Sequence, residues 1–178
     1  NLDLDEYDRY LNEDTALVTV MSANNETGVI FPVEKMAHMA KEKGVLFHTD
    51  AVQAAGKIPI NMNNSAVDML SISGHKLHAP KGVGALYLRR GTRFRPFLRG
   101  GHQERNRRAG TENVTSIIGF GKAAEIAQAH IDEENTVVKK MRDRLEEEIL
   151  KRVPRTILNG DKKKRLPNTT NISFEFVE

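Results

Sequence analysis

A strand–helix–strand pattern near the start of the sequence restricts the fold more than any other feature. Residues 16–23 (ALVTVMSA) form an apolar, β-branched run of strand length, and residues 45–49 form a second such run. Between them, apolar residues recur at helical spacing from Val33, with Pro32 near the start of the periodic segment and Gly44 at its end. A strand, a helix and a strand within about 35 residues predict a crossover between parallel strands, and therefore an α/β fold.

Two further strands are predicted at residues 67–73 and 83–89, on either side of a polar segment that contains glycine. Only nine residues, 74–82, separate them, whereas a parallel crossover needs a dozen or more. We therefore expect the fourth strand to run antiparallel to the third. The predicted sheet is mixed but mostly parallel, with helices packed against it.

The pattern changes near residue 130, from alternating strands and helices to long helices followed by short strands. Two helices and two strands are predicted there, at residues 114–129, 132–153, 156–158 and 171–177. The second helix carries an apolar stripe that consists of Val137, Val138, Met141, Leu145, Ile149 and Leu150. We interpret the change as a domain boundary, with one domain in residues 1–130 and the start of a smaller one in residues 131–178.

The composition is that of a globular protein of one domain or slightly more. The chain has 178 residues, of which 39% are hydrophobic and 29% are charged, and its formal net charge is +3. No apolar run approaches the roughly 20 residues that cross a bilayer, and no signal-like segment begins the chain, so we expect a cytoplasmic protein. The absence of cysteine excludes disulfides and thiolate metal sites within these residues.

Asp50 and Lys76 are the strongest candidates for chemistry, because each follows closely on a predicted strand. A carboxylate at the end of a buried strand lies where open α/β sheets bind ligands, and it can keep a pyridine nitrogen protonated. A lysine with a lowered pKa can hold an aldehyde covalently. Together they indicate pyridoxal phosphate, with Gln53 and Asn25 placed to bond the ring hydroxyl. The alternative for Asp50 is to cap a helix that begins at residue 51, and one residue can serve both purposes.

The residues around Lys76 suit a phosphate group better than a metal ion. Ser73, His75 and nearby backbone N–H groups can donate hydrogen bonds to phosphate oxygens. His75 and His78 are three residues apart, but no third ligand is obvious. Pro80 would also interrupt a helix that carried both histidines, so we predict no metal site.

A glycine- and arginine-rich segment, residues 100–113, is a third candidate. It overlaps a stretch, residues 89–108, that holds eight arginines and one acidic residue, Glu104. Flexible glycines, guanidinium groups and a hydroxyl suit recognition of an anion, and the alternative is a solvated surface loop. A nucleic-acid-binding module is disfavoured, because only Phe94 and Phe97 accompany these charges and no known motif is present.

Four ordered motifs resemble the NifS-type cysteine desulfurases, which are pyridoxal-phosphate enzymes of fold type I in the class V aminotransferase superfamily. The motifs are NNETG (24–28), HTDAVQAAGK (48–57), SGHKLHAPKGVGALYLRR (73–90) and GGHQERNRRAGTEN (100–113). The resemblance covers most of residues 15–130. It implies the C-terminal portion of the large cofactor-binding domain, followed by the start of the small α+β domain. The sequence SGHKLHAPKG (73–82) resembles that of the nitrogen-fixation branch of this family more than that of the housekeeping branch.

Carried over residue by residue, the resemblance implies a role for each candidate. Lys76 would hold the cofactor as a Schiff base, Asp50 would pair with the ring nitrogen, and Gln53 would bond the ring oxygen. The other cofactor contacts would come from Asn25 near the ring, from Ser73 and His75 at the phosphate, and from Thr111 at the phosphate of the partner subunit in a homodimer. The family converts L-cysteine to L-alanine and leaves the sulfur as a persulfide on a catalytic cysteine, from which an iron–sulfur scaffold protein accepts it.

The sequence departs from the family pattern in three respects. It has no cysteine, and the family's nucleophile lies further beyond the lysine than the 102 residues that follow Lys76 here. An N-terminal part with another phosphate-binding turn and a stacking histidine is missing, and so is a C-terminal arginine that holds the substrate carboxylate. We therefore expect a central fragment, truncated at both ends, that does not desulfurate cysteine by itself. Selenocysteine lyase or another class V enzyme is the alternative for the parent protein.

Overall fold

In the computed structural model, which describes residues 2–177, four strands form one sheet in the order in which they occur along the chain. They are β1 (Leu17–Met21), β2 (Leu46–Asp50), β3 (Met69–Ser73) and β4 (Gly84–Leu88). β1 pairs with β2 and β2 with β3 in parallel, whereas β3 and β4 pair antiparallel. The mixed, mostly parallel sheet that the strand spacing predicts is therefore confirmed.

Two helices accompany the sheet in the first half of the chain. α1 (Leu4–Tyr10) begins after Asp3, whose side chain accepts hydrogen bonds from backbone N–H groups of the first helical turn. α2 (Val33–Glu42) connects β1 to β2, as the apolar periodicity predicts. Its buried residues, which lie in the same apolar cluster as Phe47 of β2, are Met36, Ala37 and Ala40.

The two faces of the sheet differ in exposure. One face packs into the main hydrophobic core with α2 through Val18, Val20, Phe47, Leu70 and Ile72. The other face is open, since Leu17, Met21 and Leu86 on it are 47%, 40% and 45% exposed. Polar side chains of the three parallel strands share this open face with those apolar residues.

The connection between β3 and β4 requires glycine at residue 74. A 3₁₀ turn, Gly74–Leu77, follows β3 directly, and the next residue, His78, has a left-handed backbone with φ of 63°. A Cβ atom on Gly74 would lie 2.8 Å from Cγ1 of Val83 and 3.0 Å from its carbonyl oxygen. The antiparallel pairing with β4 leaves no room for a side chain there, so Gly74 is a structural requirement of the turn that carries Lys76.

The second half of the chain consists of a hairpin, a helical region and a two-stranded sheet. Its elements are β5 (His102–Gln103), β6 (Arg108–Ala109), α3 (Val114–Ala129), α4 (Ile131–Glu133), a π-helical segment (Glu134–Val138), α5 (Lys139–Arg152), β7 (Thr156–Leu158) and β8 (Ile172–Phe174). The helix predicted over 132–153 is interrupted by the π-helical segment, where Asn135 donates hydrogen bonds to the carbonyls of Ile131 and Lys57. The strand predicted over 171–177 is shorter than expected, because β7 supplies it with only three pairing residues.

The inner face of α5 carries buried charged residues, and three residues of the apolar stripe predicted for the helix over 132–153 point outward. Val137, Met141 and Leu145 are 52%, 67% and 55% exposed. Arg142 and Glu146 are buried instead, at 7% and 4% exposure. Buried charged residues therefore help to hold α5 in place, together with Val138, Ile149 and Leu150 of the stripe, which are half-buried.

A buried ion pair joins α5 to the segment 164–171. The Glu146 carboxylate lies 2.6 Å from Nη2 of Arg165 and accepts a hydrogen bond of 2.6 Å from the Thr170 hydroxyl. Arg142 donates to two backbone carbonyls of the segment, at 3.1 and 2.7 Å. The side chains of Arg165 and Glu146 are only 1% and 5% exposed, so each charge depends on the other for compensation.

The segment 164–171 also contacts the loop that follows β1. Three hydrogen bonds make this contact: from the N–H of Ile30 to the Lys164 carbonyl (2.9 Å), from the N–H of Leu166 to the Gly28 carbonyl (2.8 Å) and from the Asn171 amide to the Glu26 carbonyl (3.2 Å). The α5 region is thereby connected to the loop that contains Asn25.

None of the helices in residues 2–177 has the length and the apolar content needed to cross a membrane. Nor does any group of three or more His, Asp or Glu side chains there lie close enough together to hold a metal ion.

Removal of the acidic partner of the buried pair should destabilise the fold. Glu146→Ala leaves Arg165 buried without its counter-charge, and we expect the free energy of unfolding to fall by about 3–5 kcal/mol. Denaturant titration followed by circular dichroism measures the loss. Glu147→Ala is the matched control, because Glu147 is exposed on the same helix and its removal should change stability by less than about 0.5 kcal/mol. Equal stability of the two variants would contradict the prediction.

Candidate active site

The three parallel strands bring four polar residues to one edge of the sheet. Asp50 is the last residue of β2, and Ser73 is the last residue of β3. Asn25 lies in the loop that follows β1, and Lys76 lies on the 3₁₀ turn that follows Ser73. Because β1, β2 and β3 are neighbours and run in the same direction, their carboxyl ends meet at one edge, where open α/β sheets bind ligands.

The backbone around Asp50 is held on both sides, and one oxygen of its carboxylate is free. The Asp50 carbonyl accepts from the N–H of Ser22 (2.7 Å), and the N–H of Ala51 donates to the carbonyl of Ser71 (2.9 Å). Oδ1 accepts from the N–H of Val52 (2.9 Å), while Oδ2 has no hydrogen-bond partner among residues 2–177. The residue is exposed, so Oδ2 is available to a ligand.

The segment after Asp50 is a series of turns and not the helix that the alternative interpretation of Asp50 requires. The N–H groups of Ala54 and Ala55 donate to the Ala51 carbonyl (3.0 and 2.9 Å), but no regular helix forms between residues 51 and 58. Gln53 lies within these turns and is half-buried. Only Oδ1 of Asp50 stabilises the first turn, through its hydrogen bond with the N–H of Val52. Oδ2 is therefore left for binding a ligand.

Ser73 and His75 form a hydrogen-bonded pair at the end of β3. The Ser73 Oγ and the His75 Nδ1 are 2.7 Å apart, and His75 is exposed. If the hydroxyl donates to Nδ1, the neutral imidazole carries its proton on Nε2; if Nδ1–H donates, the hydroxyl proton is free. Either arrangement leaves one donor for an anion, as a phosphate group requires.

Lys76 is exposed, and the residue after it anchors the turn. Leu77 is 8% exposed and packs against Phe120 and Ala123 of α3. A cleft of about 610 Å³ lies between this turn and α3, and Lys76 lines it, but Asp50 does not. In the described part of the chain, the position between Asp50 and Lys76 is therefore an open edge of the sheet and not an enclosed cavity.

Asn25 lies in an exposed turn whose shape is set by its neighbour. The Oδ1 atom of Asn24 accepts hydrogen bonds from the N–H groups of Glu26 and Thr27, at 3.0 and 2.9 Å, and from the Thr27 hydroxyl, at 3.1 Å. Asn25 itself is exposed, so its side chain can contact a ligand at the edge.

The arginine-rich segment divides into one structural arginine and an exposed hairpin. Arg89 has a structural role, because its guanidinium group donates hydrogen bonds to the backbone carbonyls of Met62, Ser65 and Val67. β5 and β6 form the hairpin, and Thr111 lies in the exposed loop after it, where Arg108 donates to its carbonyl (3.4 Å). No hydrogen bond within residues 2–177 joins Thr111 to the sheet edge, so its predicted contact with the phosphate of a partner subunit stays a prediction.

Three polar side chains that were not predicted from the sequence form a row on the open face of the sheet. The His48 imidazole lies between β1 and β3, with Nδ1 2.7 Å from the Thr19 hydroxyl and Nε2 3.2 Å from the Ser71 hydroxyl. Burial lowers the pKa of His48, and the Asp50 carboxylate raises it by a smaller amount. The available signal was a polar residue two positions before Asp50, which strand alternation puts on the same face.

Comparison with known proteins identifies the family. The family model described as Aminotransferase class-V matches residues 1–178. The chain belongs to the class V aminotransferase family. Among its relatives in this family, a cysteine desulfurase of Gluconacetobacter diazotrophicus is 64% identical over 177 residues, and the cysteine desulfurase NifS of Azotobacter vinelandii is 62% identical over 177 residues. Each of these two matches covers 99% of this chain and 44% of the relative.

Solved structures of class V aminotransferase relatives share the fold. A NifS-like protein superimposes with a TM-score of 0.92 at 41% identity, over 97% of this chain and 47% of that chain. A NifS-like protein from Rickettsia africae superimposes with a TM-score of 0.93 at 36% identity, over 99% of this chain and 50% of that chain. The chain therefore spans less than half the length of the curated relatives described above.

Class V aminotransferases use pyridoxal phosphate, and the donor set at the sheet edge fits that cofactor. The free Oδ2 of Asp50 can accept a hydrogen bond from a ring nitrogen. The exposed amine of Lys76 can react with an aldehyde. The donor that remains from the Ser73–His75 pair can bind a phosphate oxygen.

Acid should weaken the fold of this class V aminotransferase chain through His48. Because the pKa of His48 is lowered in the folded chain, the unfolded chain binds the proton first as the pH falls through the ordinary value of about 6.5. The free energy of unfolding should therefore decrease on acidification, and it should decrease less in a His48→Gln variant. Urea titrations at about pH 7.5 and about pH 5.5 measure the difference.

The control for this prediction is His38→Gln, because His38 is an exposed residue of α2. This variant should keep the pH dependence of the unsubstituted chain. A His48→Gln variant with that same dependence would show that His48 does not contribute to it.

Proposed function

We propose that these residues form the central part of a pyridoxal-phosphate-dependent cysteine desulfurase. A protein of the relatives' length that contains this chain is called the full-length protein. The observation that carries the proposal is the common sheet edge of Asp50, Ser73 and Lys76, which presents a carboxylate, a hydroxyl and an amine to one ligand. The names of relatives that are 64% and 62% identical support cysteine as the substrate.

Each residue at the edge has a distinct task in this proposal. Pyridoxal phosphate, when bound, supplies an aldehyde for covalent attachment and a ring that withdraws electrons from the α-carbon of an amino acid. The Lys76 amine is the attachment point, and Oδ2 of Asp50 accepts the hydrogen bond of the protonated ring nitrogen. The Ser73–His75 pair donates to the phosphate. The side-chain amide of Gln53 bonds the ring oxygen of the cofactor, and the side-chain amide of Asn25 lies beside the ring.

The sulfur step needs a thiol that the 178 residues do not contain. In the full-length protein, L-cysteine and a protein thiol would give L-alanine and a protein persulfide, so that the carbon–sulfur bond of the substrate breaks as a sulfur–sulfur bond forms. The 178-residue chain by itself should therefore release no sulfur from cysteine.

The proposal extends to the biological process, the location and the oligomeric state of the full-length protein. The relative from Azotobacter vinelandii bears the name NifS, which supports a role in iron–sulfur cluster assembly for nitrogen fixation, with a scaffold protein as sulfur acceptor. We also propose that the full-length protein is a cytoplasmic homodimer. In that dimer Thr111 would reach the cofactor phosphate of the partner subunit, which agrees with its exposed position after the β5–β6 hairpin.

The test of the proposed function is the full-length protein with Lys76→Ala. We expect the unsubstituted protein to form alanine from L-cysteine and to show the visible absorbance of covalently attached pyridoxal phosphate. Lys76→Ala should lose both, because its side chain has no amine. Lys81→Ala is the matched control, since Lys81 is exposed and lies only five residues further on.

Two outcomes would count against this function. Persistence of the absorbance in Lys76→Ala would refute the attachment site. Release of selenium from L-selenocysteine without alanine formation from L-cysteine would indicate a selenocysteine lyase.

The 178-residue chain alone should bind pyridoxal phosphate weakly. Its cofactor residues lie at an open edge, and the cleft beside Lys76 does not include Asp50, so few contacts enclose the ligand. Fluorescence titration of the chain and of the full-length protein should give a dissociation constant at least about 100-fold higher for the chain. A tight, stoichiometric complex of the chain would contradict this expectation.

A further inference from the structure

The His48 imidazole bridges the three parallel strands on the open face of the sheet. Nδ1 lies 2.7 Å from the Thr19 hydroxyl of β1, and Nε2 lies 3.2 Å from the Ser71 hydroxyl of β3. Both ring nitrogens therefore have a partner, which fixes the orientation of the ring across the sheet. The function proposed above gives these three side chains no role.

Ser71 connects this bridge to Asp50. The strand register pairs Ser71 with Asp50 directly across β2 and β3, and paired residues place their side chains on the same face. Neighbouring strands are about 4.8 Å apart, so a Ser71 hydroxyl that lacked another acceptor could reach the carboxylate. The hydroxyl instead contacts His48, and Oδ2 of Asp50 has no partner among residues 2–177.

The surroundings of the two hydroxyls indicate which nitrogen of His48 carries the proton. Thr19 is exposed and can donate its hydroxyl proton to water, whereas Ser71 is half-buried and needs an acceptor inside the protein. Nε2 is that acceptor, which leaves the proton of the neutral ring on Nδ1, where the Thr19 oxygen accepts it. Burial lowers the pKa of His48 and so favours the neutral ring near pH 7.

We propose that His48 is a positioning residue for Asp50: its Nε2 accepts the hydrogen bond of the Ser71 hydroxyl, which keeps that hydroxyl from the carboxylate and leaves Oδ2 free for the ring nitrogen of pyridoxal phosphate. The inference rests on the proposed function, because the ring nitrogen is the ligand in question. His48 does not touch the cofactor in this arrangement and acts through Ser71.

The first experiment measures the affinity of variants of the full-length protein for pyridoxal phosphate. His48→Leu removes the acceptor, and we expect the dissociation constant to rise about tenfold as Ser71 turns to Asp50. His48→Gln retains a neutral acceptor and should stay within about threefold of the unsubstituted protein. His38→Leu, which replaces an exposed histidine of α2, is the matched control and should have no effect.

The decisive variant is the double substitution His48→Leu with Ser71→Ala. It removes the competing hydroxyl together with the acceptor, so the affinity should return to within about threefold of the unsubstituted protein. Ser71→Ala alone should bind normally. If His48 had only a structural role, the double variant should bind pyridoxal phosphate more weakly than His48→Leu, because the loss of a second contact would add to the loss of the first.

Two spectroscopic measurements do not depend on activity. In the cofactor-free protein, NMR of ¹⁵N-labelled histidine should show the His48 proton on Nδ1. In the loaded protein, the ¹⁵N shift of the cofactor ring nitrogen should be that of a protonated pyridine in the unsubstituted protein and in the double variant. In His48→Leu it should move toward the neutral pyridine value, because the Asp50 carboxylate is partly occupied by Ser71.

The outcomes separate this inference from the function on which it rests. Unsubstituted full-length protein that binds no pyridoxal phosphate overturns both. Normal affinity and an unchanged ring-nitrogen shift in His48→Leu overturn the inference alone, and so does a double variant as weak as His48→Leu. If His48→Leu does not fold, a His48 proton on Nε2, or a tenfold loss of affinity in His48→Gln, overturns it.

Discussion

The candidate site exists because β1, β2 and β3 run parallel and lie side by side. Asp50 and Lys76 are far apart in the sequence, and only a common strand direction brings the ends of β2 and β3 to one edge. The same pairing holds the backbone of Asp50 between Ser22 and Ser71. A rigid backbone at this point favours binding, because the carboxylate does not have to be ordered when a ligand arrives.

The buried ion pair of Glu146 and Arg165 helps to connect the second half of the chain to this edge. The pair fixes the segment 164–171 on α5, and that segment bonds the loop in which Asn25 lies. Two charges that are almost inaccessible to water tolerate little displacement, since each would be left uncompensated. The segment 164–171 therefore connects the Asn25 loop to α5, although α5 supplies no predicted site residue.

Predictions from the sequence were most accurate where they used local spacing. The nine residues between the third and fourth strands were enough to predict an antiparallel pair, and the polar residues after the strands predicted the edge of the sheet. They did not indicate which face of α5 is buried: Met141 and Leu145 point outward, because a helical stripe does not specify which neighbour covers it. They also missed the contacts of His48, whose partners Thr19 and Ser71 are 29 and 23 residues away.

The order of the strands and helices, the mixed sheet, the polar strand ends and the family motifs can all be read from the chain alone. Each of them depends on residue type, period and spacing, which are local properties. The three-dimensional arrangement was needed to show that Glu146 faces inward and that one carboxylate oxygen of Asp50 has no hydrogen-bond partner among residues 2–177. It was also needed to show that His48 lies between two neighbouring strands. These features depend on contacts between residues that are distant in sequence, and no local pattern records such contacts.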